Sequence, residues 1–201
     1  SLTVQGHPTK VNAAPMTVSA SVNGRLLSAG NQVEGWRGRI EDLIWRTDTQ
    51  PQRVWLKASP FDMTWHHAEG GDQIGVSPVG LNVAGVPMTL QEFEWQAGEQ
   101  GLVQLKTWLK VDPLLVPEWL KQWQPQVGWG GDLTVGGEVR LAHSPAQPWQ
   151  VQAHVAKLSG DLSLSEPGIE GNSVQKLGID VASIKLAASH GVWVLSEVFE
   201  G

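Results

Sequence analysis

Apolar and polar residues alternate along most of this chain, so that apolar side chains fall at every second position. The longest uninterrupted run is formed by Val103, Leu105, Thr107, Leu109 and Val111. Successive side chains of a strand point to opposite faces of a sheet, so a period of two predicts strands. The pattern recurs between mostly short turns and predicts roughly a dozen strands in an antiparallel meander.

One segment, residues 112–126, breaks this pattern and has the spacing of a short amphipathic helix. Its apolar positions are Leu115, Trp119, Leu120 and Trp123. Asp112 and Pro113 fit an N-cap and a first helical position, whereas Pro117 allows only a short helix that begins near it. We expect the four apolar residues to face the sheet, either covering its apolar side or lying inside a groove.

Glycine-containing motifs mark several strand starts. GWRGRIEDLIW occupies residues 35–45, GWGGDLTVGGEVRL occupies residues 128–141, and a weaker echo, SGDLSLS, occupies residues 159–165. Glycines in strands mark bends or close approaches of another backbone. A change of parity near Ser183 further predicts a β-bulge.

These patterns predict an all-β protein whose half-apolar strands need one covered face. Two architectures satisfy this: a closed β-sandwich or barrel, or a long antiparallel sheet curled into an open trough with a hydrophobic concave face. Periodicity alone does not separate them. The predicted organisation is a set of leading strands in residues 1–34, a first trough segment in 35–111, the helix in 112–127, and a second segment of the same sheet in 128–201.

Composition narrows the function classes. The formal net charge is −6, and the 14 basic residues are scattered along the 201 residues of the chain. Because binding to phosphates needs clustered lysines and arginines, this argues against a nucleic-acid partner. The chain has no cysteine, which excludes disulfides and thiolate metal sites. His66 and His67 are adjacent on a predicted strand, so they point to opposite faces and do not chelate one metal together. No motif of a nucleophile, phosphate loop or metalloprotease is present, and we expect neither an enzyme nor a cofactor.

The order of the motifs resembles a known family. DPLLVPEWLKQWQP, then GWGGDLTVGGEVRL, then PWQVQAHVAKLSGDLSLSE is similar to the TamB and AsmA-like family of Gram-negative envelope proteins, which includes translocation and assembly module subunits. GWRGRIEDLIW, LKASPFDMTW, MTLQEFEWQAGEQG and GIDVASIKLAASHGVWVLSEVFEG add to the resemblance, which covers most of the chain from Gly35 onward.

The resemblance implies a fold, a location and partners. Members of this family are anchored in the inner membrane and cross the periplasm as long β-rich rods with an open, taco-shaped sheet. They are linked to outer-membrane assembly through an Omp85-type barrel and to phospholipid movement between the membranes, without enzyme activity. We therefore expect this chain to be an internal or C-terminal piece of such a rod.

A groove for phospholipid acyl chains needs a continuous apolar wall. Burying a methylene contributes about 0.8 kcal/mol, so a chain of ~15 carbons gains ~12 kcal/mol. The candidates for the wall are Val54, Leu56, Phe61, Met63, Leu81, Val103, Leu105, Leu109, Leu133, Val151, Val155, Leu177 and Ile179. Ordinary core packing remains the other interpretation for each of them.

Two other functions stay open. Eleven tryptophans without a tyrosine fit a carbohydrate-binding sandwich, because exposed indole rings stack on sugars. Most of these tryptophans fall near strand ends, however, where an amphipathic ring suits a rim. The third possibility is a β-scaffold whose sheet edges pair with strands of outer-membrane proteins.

Overall fold

The computed structural model describes residues 2–6, 15–30, 32–47, 52–68, 70–98, 103–165, 174–189 and 192–200. Within them the protein is all-β with one short helix, as the alternation predicts. The elements are β1 Leu2–Gly6, β2 Met16–Ala29, β3 Gln32–Thr47, β4 Val54–Ala58, β5 Phe61–Ala68, β6 Gly71–Val76, β7 Val79–Val83, β8 Val86–Ala97, β9 Val103–Leu115, α1 Val116–Trp123, β10 Gly128–Gly131, β11 Thr134–Ser144, β12 Gln147–Ser159, β13 Leu162–Ser165, β14 Val174–Lys176, β15 Val181–Ser189 and β16 Val192–Glu200.

Thirteen strands form one long antiparallel sheet. Its main order is β1-β2-β3-β4-β7-β8-β9-β11-β12-β15-β16. The strands β5 and β6 also bridge β3 and β8, because β5 pairs with β3 and β6, and β6 pairs with β8. In the described residues β1 pairs only with β2 and β16 only with β15, so the sheet does not close on itself. The fold is therefore the open sheet of the two predicted architectures, and its form is that of a curled trough.

Proline interrupts two neighbouring strands at the same level of the sheet. β4 and β5 continue each other along β3, and the break between them is Ser59–Pro60. β6 and β7 continue each other along β8, and their break is Ser77–Pro78. The amide N–H of Asp62 donates to Ser77 Oγ at 3.0 Å, and that of Ser77 donates to the Asp62 carbonyl at 2.9 Å.

Two further irregularities extend these breaks into a crease across neighbouring strands. One is a bulge of β3, where Asp42 has a positive φ of 53° opposite the register shift at Ser19–Ser21 of β2, and the other is the register shift at Leu90–Glu92 in β8. Bulges and proline breaks bend a strand and increase its local twist. Four neighbouring strand lines, β3, β4–β5, β6–β7 and β8, are therefore irregular at one level, and this level is the crease.

The core lies inside this crease. Ile40, Ala58, Phe61 and Val79 are buried and pack as one cluster. Elsewhere burial is sparse: the whole chain exposes 13268 Å², whereas a compact monomer of this mass exposes about 9300 Å². The sheet is therefore closely packed at the crease and open along most of its length.

The helix forms where its spacing predicts, but it begins later than Asp112. It spans Val116–Trp123 with Leu115 at the N-cap, and Pro117 is fully buried in its first turn. Asp112 still belongs to β9, and its carboxylate accepts a hydrogen bond from Thr89 Oγ1 at 2.7 Å. The N-cap assignment to Asp112 is thus wrong, because strand pairing with β8 and β11 holds this segment extended.

A second, three-stranded sheet has the order β10-β13-β14. Two of the motif echoes pair with each other in it: Gly128–Gly131 lies antiparallel to Leu162–Ser165. Leu162 in β13 is buried, and so is Leu133, which follows β10. The Asp161 carboxylate accepts hydrogen bonds from the backbone N–H groups of Leu162, Gly178 and Ile179, and these bonds lower its pKa, that from Ile179 most.

The predicted bulge near Ser183 is absent. β15 keeps an unbroken register with β16 from Val181–Glu200 to Ser189–Val192, and its pairing with β12 is equally regular. The change of parity arises earlier, because residues 177–180 connect β14 to β15 and belong to neither strand.

Candidate lipid-binding face

Cross-strand neighbours of the long sheet form apolar rows that run along the strand order. Partners in an antiparallel pair point to the same face, so the register identifies each row. One row crosses seven strands: Val79, Leu90, Leu109, Val139, Ala153, Leu186 and Leu195. The next contains Ala58, Leu81, Met88, Val111, Gly137, Val155 and Ile184. We call the side that carries these rows the apolar face.

The opposite side, which we call the polar face, carries charged and amide side chains. One of its rows contains Thr89, Lys110, Glu138, His154, Lys185 and Ser196. Lys106 Nζ lies 2.7 Å from Glu92 Oε1, and this hydrogen bond and charge raise the pKa of Lys106. The sheet is therefore amphipathic over the strands from β8 to β15.

Burial differs between the two faces of β9. Thr107 and Val111, on the apolar face, are 7% and 4% exposed, whereas Lys106 and Lys110 on the polar face are exposed. A central strand of a flat sheet exposes both faces alike unless something covers one of them. The difference is that expected of a sheet that curls toward its apolar face.

Aromatic rings border the apolar face near one set of strand ends. A single register row contains Leu26, Trp36, Trp65, Ile74, Trp95, Leu105 and His143. Trp149 extends it by stacking on His143, with ring centroids 4.8 Å apart. Tryptophan suits such a border because its ring is apolar while its N–H needs a polar partner or water. Trp36, Trp65 and Trp95 therefore lie in one register row of the apolar face, together with aliphatic side chains.

The structure brings nine of the thirteen predicted wall residues together on the apolar face. They are Leu56, Phe61, Met63, Leu81, Val103, Leu105, Leu109, Val151 and Val155. Phe61 and Met63 belong to the crease core, so their side chains are already packed against protein.

The other four predicted wall residues lie elsewhere. Val54 is exposed at a register shift at the start of β4. Leu133 is buried beside the small sheet, where Val116 N donates to its carbonyl. Leu177 and Ile179 follow β14 in the segment that Asp161 holds. Val54 belongs to the long sheet through β4, whereas Leu133, Leu177 and Ile179 alternate with polar residues without lying in a strand.

The helix contacts one end of the trough. Trp119 Nε1 donates to the carbonyl of Ala84 at 3.1 Å, in the turn between β7 and β8. Trp123 lies 5.9 Å from Trp55 between ring centroids, with the Arg53 guanidinium 5.1 Å from its ring. Leu115 is exposed and Leu120 half-buried. These contacts place the helix against strand ends and a turn, so the expectation that its apolar side faces the groove stays a prediction.

Sequence reasoning missed the residues that complete the wall on β11, β15 and β16. Val139, Leu141 and Leu186 alternate with polar or small neighbours, whereas Leu195 lies in the apolar run Val192–Leu195, and the face of all four depends on which strands pair. Trp108 is the one tryptophan of β9 and lies on the polar face.

In the described part of the chain, no group of three or more His, Cys, Asp or Glu side chains is arranged to hold a metal ion. None of its helices has the length and apolar character needed to cross a bilayer. Comparison with family models, with curated proteins and with solved structures gives no match to this chain.

Proposed function

We propose that the apolar face shields phospholipid acyl chains as they move between the inner and outer membranes of a Gram-negative envelope. The chain would be a length of a periplasmic, inner-membrane-anchored protein of the TamB and AsmA-like family, working with an Omp85-type outer-membrane barrel. This rests on the motif resemblance together with one structural observation: apolar rows in continuous register across seven strands.

The apolar rows suit an acyl chain that slides along the sheet better than one that is held tightly in a single place. A specific pocket combines apolar lining with a few convergent polar groups. The apolar face instead repeats similar aliphatic contacts from β7 to β16, so an acyl chain that slides by one strand spacing exchanges like contacts for like. Eleven strands in the main order correspond to about 48 Å at ~4.8 Å per strand. The headgroup would stay at the open side of the trough, in water.

The proposal is tested by native mass spectrometry of the chain after incubation with vesicles of phosphatidylethanolamine and phosphatidylglycerol. Val155→Arg places a charge on the apolar face, and Val194→Arg places the same charge on the polar face of β16, where Val194 pairs with Ala187. We expect phospholipid adducts on the unchanged chain and on Val194→Arg, and none on Val155→Arg. Equal adducts on both variants, or no adduct at all, would refute the proposal.

A scaffold role is the second candidate, and the exposure of β16 favours it. Val192 and Trp193 are each 63% exposed, Leu195 is 56% exposed, and β15 is the one strand that pairs with β16 in the described residues. Exposed apolar edge strands recruit further strands. Binding of an isotope-labelled outer-membrane strand peptide that shifts the β16 amide resonances, and is lost with Val192→Pro, would favour this role.

A further inference from the structure

The polar face of β9 carries one aromatic ring, Trp108, among its charged side chains. Trp108 follows Lys106 and precedes Lys110 on that face of β9. Its Nε1–H donates to Glu138 Oε2 at 3.1 Å, and the Arg140 guanidinium lies 5.4 Å from its ring centre. Glu138 also binds Arg140 Nη2 at 3.2 Å. The three side chains thus fix one another, and the indole is held in one orientation.

A shallow depression of about 450 Å³ adjoins this ring. It is lined on the polar face by side chains from four strands: Glu92, Lys106, Trp108, Arg140, Gln150 and Gln152. Ala142, between Lys106 and Gln150 in register, is too small to fill the space. The four strands span about 15 Å at ~4.8 Å per spacing.

The charges of this depression are already neutralised. Glu92 pairs with Lys106 at 2.7 Å, and Glu138 pairs with Arg140 at 3.2 Å. A site for phosphate or another anion needs unpaired cations directed at the ligand. What remains available is hydrogen-bonding capacity without net charge, including the side-chain amide of Gln152, which makes no hydrogen bond to the described residues and is exposed.

We propose that this depression, the Trp108 site, binds a neutral oligosaccharide. A sugar ring would stack on the indole, and its hydroxyl groups would exchange hydrogen bonds with the amide of Gln152 and with the paired charges beside it. The ring supplies apolar contact at a small cost in side-chain entropy, since its orientation is already fixed.

The site also continues along the polar face. A second depression of about 560 Å³ shares Lys106 and Ala142 with the first and adds the amides of Gln73, Gln96 and Gln104. A glycan chain longer than the first depression would therefore find further amide partners. This site lies on the opposite side of the sheet from the apolar rows, so it is independent of the proposed lipid function.

Saturation-transfer difference NMR with maltotriose and chitotriose as neutral probes tests the proposal. The indole N–H resonance of Trp108 is assigned by its loss in Trp108→Phe. We expect saturation transfer from the protein to at least one probe, together with a shift of that resonance. Gln152→Ala should weaken binding about 3- to 10-fold, the loss expected for one hydrogen bond, and Trp108→Leu should abolish it. Lys57→Ala, an exposed change elsewhere on the sheet, should leave it unchanged.

Three results would overturn the proposal: no binding of either sugar, sugar binding that survives Trp108→Leu, or displacement of the sugar by equimolar inorganic phosphate. Gln152 is exposed, so its variant separates loss of a contact from loss of the fold. The Trp108→Phe spectrum provides a second check that the sheet is intact.

Discussion

The indole of Trp36 packs against Gly24 of the neighbouring strand, so closely that a Cβ at Gly24 would come within 2.4 Å of Trp36 Cζ2. A Cβ at Gly38, which pairs with Gly24, would come within 2.3 Å of the same atom. The two glycines thus make room for an indole on the apolar face. This accounts for Trp36 and Gly38 of the Gly-Trp-x-Gly motif, whereas a Cβ at Gly35 would instead meet the Trp65 carbonyl at 2.3 Å.

We predict that Gly38→Ala destabilises the protein by about 1–3 kcal/mol, because the new methyl group overpacks the site. Urea unfolding followed by circular dichroism measures the change. Gly70→Ala is the matched control, since its Cβ would meet nothing closer than 4.0 Å. Equal stability of the two variants would show that the indole does not occupy this position.

Phe61→Ala should cost about 3–5 kcal/mol, the range for deleting a buried aromatic side chain. Phe61 is 9% exposed in the crease core, whereas Leu195 on the same face is 56% exposed. Leu195→Ala should change the free energy of unfolding by about 0.5 kcal/mol or less. Comparable losses for both variants in urea unfolding would contradict a core confined to the crease.

Trp123 offers a prediction about its polar atom. Its Nε1 is buried and meets no hydrogen-bond partner, while its ring packs on Trp55 and Trp119. Trp123→Phe removes the unpaired donor and keeps a ring, so we expect stability equal to or above that of the parent chain. Trp123→Ala loses the packing and should cost about 2–4 kcal/mol. Thermal unfolding of both variants separates the cost of the unpaired donor from the contribution of ring packing. A loss of stability in Trp123→Phe as large as that in Trp123→Ala would contradict the prediction.

Asp161 gives a pH prediction for the small sheet. Its folded pKa lies below the ordinary value of 3.8, so the unfolded chain takes up a proton first as the pH falls. The stabilisation is therefore complete above about pH 4, and it is lost as the pH falls through the folded pKa.

Amide hydrogen exchange of Gly178 and Ile179 measures this loss directly. Protection at pH 5 should fall on acidification once intrinsic exchange is corrected, and Asp161→Asn should lower it already at pH 5. Asp180→Asn, an exposed carboxylate nearby, is the control. Protection that Asp161→Asn leaves unchanged would show that the carboxylate does not hold this segment.

Local periodicity was sufficient for β9 and for the existence of α1. The alternating run from Val103 to Val111 lies in β9, and the apolar spacing around Trp119 lies in α1. Periodicity also placed Leu105 and Leu109 on one face, because a strand's own alternation determines which of its residues share a side.

What periodicity could not give is the pairing of distant strands. Gly128–Gly131 pairs with Leu162–Ser165, and this pairing removes Leu133 from the long sheet. The segment that contains Leu177 and Ile179 is not a strand: Leu177 N donates to the Leu162 carbonyl, and the N–H groups of Gly178 and Ile179 donate to the Asp161 carboxylate. The Trp108 site was not predicted from the sequence for the same reason. Its side chains come from four strands and are brought together only by the register of their pairing.

The central claim is that lipid occupies the apolar face, and two adjacent residues test it most directly. Leu105 and Lys106 are consecutive in β9 and point to opposite faces of the sheet. A photo-reactive benzoylphenylalanine at each position, in chain incubated with phosphatidylethanolamine and phosphatidylglycerol vesicles, reports by mass spectrometry which side meets acyl chains. We predict phospholipid cross-links at position 105 and none at 106. Equal cross-linking at both positions, or cross-links at 106 alone, would contradict the account.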